Sequence, residues 1–132
     1  SEASSQVTKT VAIYPGRFQP AGIHHYKTYT WLQKQFKDAW VATSNKVDGV
    51  KSPLNFKAKR MVWLKHGVKN IKQVKNPYVC EEILSKYNAD KTAVVFVFGQ
   101  KDAGRLKTTK ADGSPAYYQP YKENLHHLVY YT

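Results

Sequence analysis

Arg17, His24 and His25 stand close together in "YPGRFQPAGIHHYK" (14–27), a stretch that also carries Gly16 and two prolines and directly follows Val11-Ala12-Ile13. A guanidinium and imidazoles beside a glycine turn are what a phosphate group requires: donors, positive charge and close backbone approach. Two later segments repeat the theme. "SNKVDGVKS" (44–52) brings Lys46 and Lys51 against Asp48, and "GQKDAGR" (99–105) brings Gly99, Lys101, Asp102 and Arg105. A histidine in the first turn of a helix, where free N–H groups and the dipole attract anions, can stabilise charge developing on a phosphorus atom. Phosphoryl or nucleotidyl transfer is the chemistry such a set performs. The plain alternative is a turn shaped by Gly16 and Pro20 with solvent-exposed histidines. Neither GxxxxGK[ST] nor GxGxxG occurs, which disfavours a P-loop kinase or a dinucleotide-binding domain.

For these segments to meet, they must lie at the carboxyl ends of neighbouring parallel strands, where ligands gather in open α/β sheets. The pattern predicts that arrangement. "TVAIY" (10–14), "AWVATS" (39–44), "IKQVK" (71–75), "AVVFVF" (93–98) and "HHLVYYT" (126–132) read as strands. Between them, "HHYKTYTWLQKQF" (24–36), "SPLNFKAKRMVWLKHG" (52–67) and "VCEEILSKY" (79–87) read as helices. Ser52-Pro53 reads as N-cap and first helical residue of the second helix, and Gly67 as its stop. The continuous apolar character of 93–98 requires cover on both faces. The expected fold is α/β, a Rossmann-like three-layer sandwich with a five-stranded parallel sheet. Residues 1–9 read as a flexible leader and 10–132 as one domain. The long polar stretch from Gly99 to Leu125 reads as a functional loop or lid.

Composition agrees with an anionic ligand. The 132 residues carry a formal net charge of +12, from 21 Lys+Arg against 9 Asp+Glu, which favours nucleotides, nucleic acid or an anionic surface. The single Cys80 cannot pair within the chain and sits beside Glu81 and Glu82, so it reads as an apolar helix residue in a reducing compartment. No apolar run reaches membrane-spanning length and no signal-peptide layout is seen, so the expected location is cytoplasmic, with no membrane partner. His66, His126 and His127 read as structural, and no His/Cys spacing suggests zinc.

The same segments resemble the motifs of the HxGH nucleotidyltransferase superfamily, the cytidylyltransferase-like enzymes that include pantetheine-phosphate and nicotinamide-mononucleotide adenylyltransferases. Tyr14 to Pro20 match that family's (Y/F)xGRFQP motif without a gap. "VATSNK" followed by "SPLNFKAKRMVWL" is similar to its second strand and next helix start, and "VFGQKDAGRL" is similar to its nucleotide-holding G-x-D segment. The lysine-rich, compact form resembles bacteriophage versions, for which host cytoplasm or virion would be the location. The resemblance implies transfer of a nucleoside monophosphate from ATP or CTP, with Mg²⁺, to a small phosphate-bearing acceptor, releasing pyrophosphate. It implies His25, His24 and Lys46 as catalytic residues, and Tyr14, Gly16, Arg17, Phe18, Gly99, Asp102 and Arg105 as nucleotide-binding. Lys51 would bind phosphate, and no protein residue is expected as a dedicated metal ligand. Asp102 has three readings: a ribose contact, a magnesium aid through the phosphates, or a helix cap.

Two departures from the family pattern stand out. Gly22 occupies the first histidine slot and His24 the glycine slot, so either His24 swings in as the missing partner or the site is reshaped. Nothing after "HHLVYYT" (126–132) supplies the family's (I/V)SxTxxR segment, so either the chain is a domain of a longer protein or Lys101, Arg105 or Lys107 takes over its part. The second expectation is therefore a catalytically degenerate module that binds nucleotide or nucleic acid within a viral or larger assembly. A purely structural interaction domain is a third.

Overall fold

Strands form here where apolar and β-branched residues run together, and helices where polar residues interrupt them at helical spacing. A computed structural model describes residues 7–99 and 111–112, and the backbone of 126–131. In chain order the elements are β1 (Lys9–Pro15), α1 (Ile23–Gln35), β2 (Asp38–Thr43), α2 (Phe56–Lys65), β3 (Ile71–Gln73), α3 (Glu81–Leu84), β4 (Thr92–Phe98) and β5 (His126–Tyr131). The protein is α/β, with a parallel sheet in which β1 to β4 lie in the order β3-β2-β1-β4. Ile13 in β1 lies opposite Trp40 in β2 on one side and Phe96 in β4 on the other. The chain thus builds outward from β1 through β2 to β3, then returns to place β4 on the opposite flank. The carboxyl ends of β1 and β4 frame that reversal, the position at which open α/β sheets bind ligands.

Alternation along the strands sends successive side chains to opposite faces. One face carries Ala12 and Tyr14 of β1, Val41 of β2 and Val95 and Val97 of β4, packed on Tyr29 and Leu32 of α1 and Trp63 of α2. The other carries Val11, Ile13, Ala42, Val94, Phe96 and Phe98, covered by Cys80, Ile83 and Leu84 around α3. Both faces of β4 are therefore buried, as its apolar run requires. Trp63 is the largest fully buried side chain. It meets the rings of Phe18 and Tyr26 edge-on at 5.1 Å each, and its buried Nε1 has no hydrogen-bond partner among the described residues.

Sequence boundaries shift by a residue or more at every element from β1 to β4: β3 ends at Gln73 rather than residue 75, and the helices expected over 52–67 and 79–87 shorten to Phe56–Lys65 and Glu81–Leu84. β1 begins at Lys9, and the amides of Thr8 and Lys9 both donate to Lys91 O. The second helix does not start at Ser52-Pro53: Ser52 forms an antiparallel bridge with Asp48, each amide donating to the other's carbonyl. The cap is Asn55, whose Oδ1 accepts from Ala58 N at 2.9 Å. That side chain satisfies an orphan amide of the first turn, which the serine, already engaged in the bridge, does not do. Gly67 follows the C-cap His66 at φ +80, as expected of a helix stop. Cys80 precedes α3 in a left-handed conformation, fully buried, with its thiol donating to Pro77 O; burial pushes its pKa well up, which disfavours the thiolate.

Candidate functional site

β1 ends where the chain must leave the sheet, and four contacts fix the turn that follows. The Gly16 amide donates to Ala42 O at 3.1 Å, keeping the chain beside β2 for one further residue. The Thr43 hydroxyl donates to Arg17 O at 3.4 Å. The Gln19 side chain clamps Leu54 from both sides: its Nε2 donates to Leu54 O and its Oε1 accepts from Leu54 N, each at 2.8 Å. The loop after β1 is thereby tied to the exit of β2 and to the approach to α2. Phe18, at φ 48, turns its ring inward. It packs edge-on against Tyr14 at 5.4 Å, His25 at 5.1 Å and Trp63 at 5.1 Å. The same ring explains Gly16, since a Cβ there would lie 2.7 Å from Phe18 Cζ.

The turn delivers the chain to the N-terminus of α1, with Gly22 as N-cap. His25 and Gly22 are joined twice. His25 N donates to Gly22 O at 3.0 Å, and Gly22 N donates to His25 Nδ1 at 2.8 Å. A backbone N–H can only donate, so Nδ1 is an acceptor and the neutral ring carries its proton on Nε2. Burial, and then the neighbouring His24, lower the His25 pKa from 6.5 to about 4. At neutral pH His25 is thus an uncharged donor held against the helix end. The rings of His24 and His25 lie 3.8 Å apart at 40°. His24 also covers Gly22: a Cβ on residue 22 would stand 3.3 Å from His24 Nδ1 and Cε1.

The structure brings Tyr14, Gly16, Arg17, Phe18, His24 and His25 to this one junction. Arg17 is exposed beside it, while the side chains of Tyr14 and Phe18 are buried and leave only their backbone for a ligand. Lys46 and Lys51 are exposed in the loop after β2, and neither side chain bonds to the histidine cluster. Gly99 follows β4 directly at its carboxyl end, half-buried. Asp102 and Arg105, like Lys101, lie outside the described residues. His66 is exposed, its ring stacked on Tyr26 at 3.7 Å and 12°.

Sequence reading missed Gln19 as a loop clamp and Lys59 altogether. Lys59 is 1% exposed, and its ammonium donates to Thr43 Oγ1 at 2.9 Å and Ser44 O at 2.7 Å. The signal was its spacing, since Lys59 lies four residues before Trp63 and so on the buried face of α2. An open groove of about 630 Å³ lies elsewhere, at edge strand β3, lined by Phe56, Arg60, Lys72, Lys75 and Glu82 among others. The junction remains the better candidate because the oriented histidine and the helix N-terminus converge there.

Among the described residues, no group of three or more His, Cys, Asp or Glu side chains comes together as a metal site, and no helix is long and apolar enough to cross a membrane. No protein-family model matches the chain, and no curated protein matches it.

Proposed function

We propose that the β1–α1 junction binds a nucleoside triphosphate, ATP or CTP, and transfers its nucleoside monophosphate to a small phosphate-bearing acceptor. The observation that carries this reading is the orientation of His25: with Nδ1 engaged by the Gly22 amide, Nε2–H is the donor left for a ligand at a helix N-terminus. The amides of Ile23 and His24 precede the first intrahelical bond, which His25 N makes to Gly22 O, and they are left as donors of the first helical turn. An acceptor phosphate oxygen attacks the α-phosphorus and forms the new P–O bond. The bond to the β-phosphate oxygen breaks, and pyrophosphate leaves with its electron pair. His25 moves no proton in this step; its Nε2–H and the helix amides stabilise negative charge on the non-bridging α-oxygens. Arg17, exposed in the same loop, neutralises the outer phosphates. Magnesium would enter as the counter-ion carried on the triphosphate.

The Rossmann-like, five-stranded, three-layer arrangement is part of this proposal. Parallel pairing of the β5 backbone with β4, from Ala93 opposite His126 to Phe98 opposite Tyr131, supports it. So does the motif match over Tyr14 to Pro20. A cytoplasmic location belongs to the same reading.

A second reading, a module that binds nucleotide or nucleic acid without transfer, is favoured by the packing of His24 onto His25 and Gly22 and by the net charge of +12. Calorimetry with Mg·ATP and Mg·CTP, followed by a pyrophosphate-release assay over a panel of phosphate acceptors, separates the two. Transfer predicts binding and release, with release lost in His25→Ala. Binding with no release from any acceptor would establish the second reading, and no binding at all would remove both.

A further inference from the structure

A buried ammonium needs a reason to be buried, because desolvating a charge is costly unless something compensates it. Lys59 is 1% exposed, and no carboxylate lies within ion-pair distance of it among the described residues. Its two hydrogen-bond acceptors, the Thr43 hydroxyl and the Ser44 carbonyl, are neutral. Thr43 in turn donates to the backbone carbonyl of Arg17. Burial first, and then the Arg17 charge, lower the Lys59 pKa. Both of its bonds end at the exit of β2, where the loop from β1 is anchored. The arrangement is therefore positive charge at the base of the junction, with no compensating anion among the described residues.

We propose that Lys59 is a positioning residue of the phosphate site: it holds the β1–α1 loop through Thr43, and its fixed charge is the one a bound polyphosphate neutralises. This rests on the nucleotide-site reading above. A charge contribution grows with the charge of the ligand, whereas a purely structural role acts on every ligand alike. Lys59 thereby makes the site selective for triphosphates over monophosphates and nucleosides.

The test compares binding of adenosine, AMP, ATP and inorganic tripolyphosphate to the wild type, Lys59→Gln and Lys59→Arg by calorimetry. Glutamine keeps a side-chain N–H donor but carries no charge. The expected result for Lys59→Gln is a loss of about tenfold or more for ATP and tripolyphosphate, a smaller loss for AMP and none for adenosine, with Lys59→Arg close to wild type. Equal loss for every ligand, or no loss for any, would overturn the inference. Should the glutamine variant fail to fold, the wild type still decides. Tripolyphosphate must shift the Lys59 side-chain methylene resonances in NMR spectra together with those of Arg17, and an Arg17 response without one at Lys59 contradicts the proposal. Failure of the wild type to bind any phosphate ligand would instead refute the nucleotide site itself.

Discussion

The amide of Gly22 donates to Nδ1 of His25 across 2.8 Å, and this bond decides which nitrogen of the ring is offered to a ligand. The N-cap residue and the third residue of the helix also exchange the reverse bond, His25 N to Gly22 O. An imidazole here performs the part that Glu or Gln plays in a capping box. The histidine is thus fixed in tautomer and direction before any ligand arrives, which is what transition-state stabilisation by a preorganised donor demands.

The pH dependence of stability follows from the same bond. His25 holds its proton less readily in the fold, with a pKa of about 4 against 6.5 for the ordinary group. Between those values the unfolded chain binds more protons than the native one, so stability rises with pH. The contribution is fully present above about pH 6.5 and is lost as pH falls toward 4. Thermal melts of wild type and His25→Gln at pH 7, 5.5 and 4.5 check this, because glutamine can accept from Gly22 without titrating. The wild type should lose more melting temperature than the variant on acidification; parallel curves would contradict the assignment.

Gly16 is required by the ring of Phe18. An added Cβ would meet Phe18 Cζ at 2.7 Å and both Cε atoms at 3.0 Å. The ring cannot retreat, since Trp63 and His25 stand against it. Gly16→Ala should cost about 1–3 kcal/mol, the usual cost of overpacking, read by urea unfolding. A variant as stable as the wild type would show that the ring moves freely.

The Gln19 clamp should matter for stability and loop order alike. Gln19→Ala strips Leu54 of partners for both N–H and C=O, costing about 1–3 kcal/mol. Hydrogen exchange at the Leu54 amide should accelerate with it. Unchanged protection at Leu54 would mean that the two loops are not joined through this side chain.

Gly22 and His24 can be exchanged as a pair. Gly22→His alone introduces a Cβ 3.3 Å from the His24 ring and must displace it. Gly22→His with His24→Gly removes that conflict and restores the spacing of the family the loop resembles. The double variant should release pyrophosphate faster than either single one. Equal or lower release would show that the adjacent histidines already do the work, or that the loop transfers nothing.

Much of this was legible in the sequence, for physical reasons. Apolar runs such as Val94 to Phe98 mark strands buried on both faces, and the period from Tyr29 to Leu32 marks the buried side of α1. Other features depend on contacts made far along the chain. The helix α2 starts at Phe56 with Asn55 as its cap, while Ser52 is engaged with Asp48, which the attractive Ser-Pro pair conceals. Phe18 looked like part of a ligand loop, yet its ring is committed to Trp63. Lys59 was one lysine among many until the fold put it inside. The pair His24-His25 was visible from the start, but not the tautomer of His25, which is set by a single backbone amide.

The most direct test of a histidine poised at a phosphate site is a nitrogen-15 NMR titration of the imidazoles with Mg·ATP at pH 7. His25 should show a protonated Nε2 and an unprotonated Nδ1 in the free protein, and its Nε2 signal should move as nucleotide binds. A His25 protonated on Nδ1, or a ring whose signals stay fixed while ATP saturates the protein, would contradict the account.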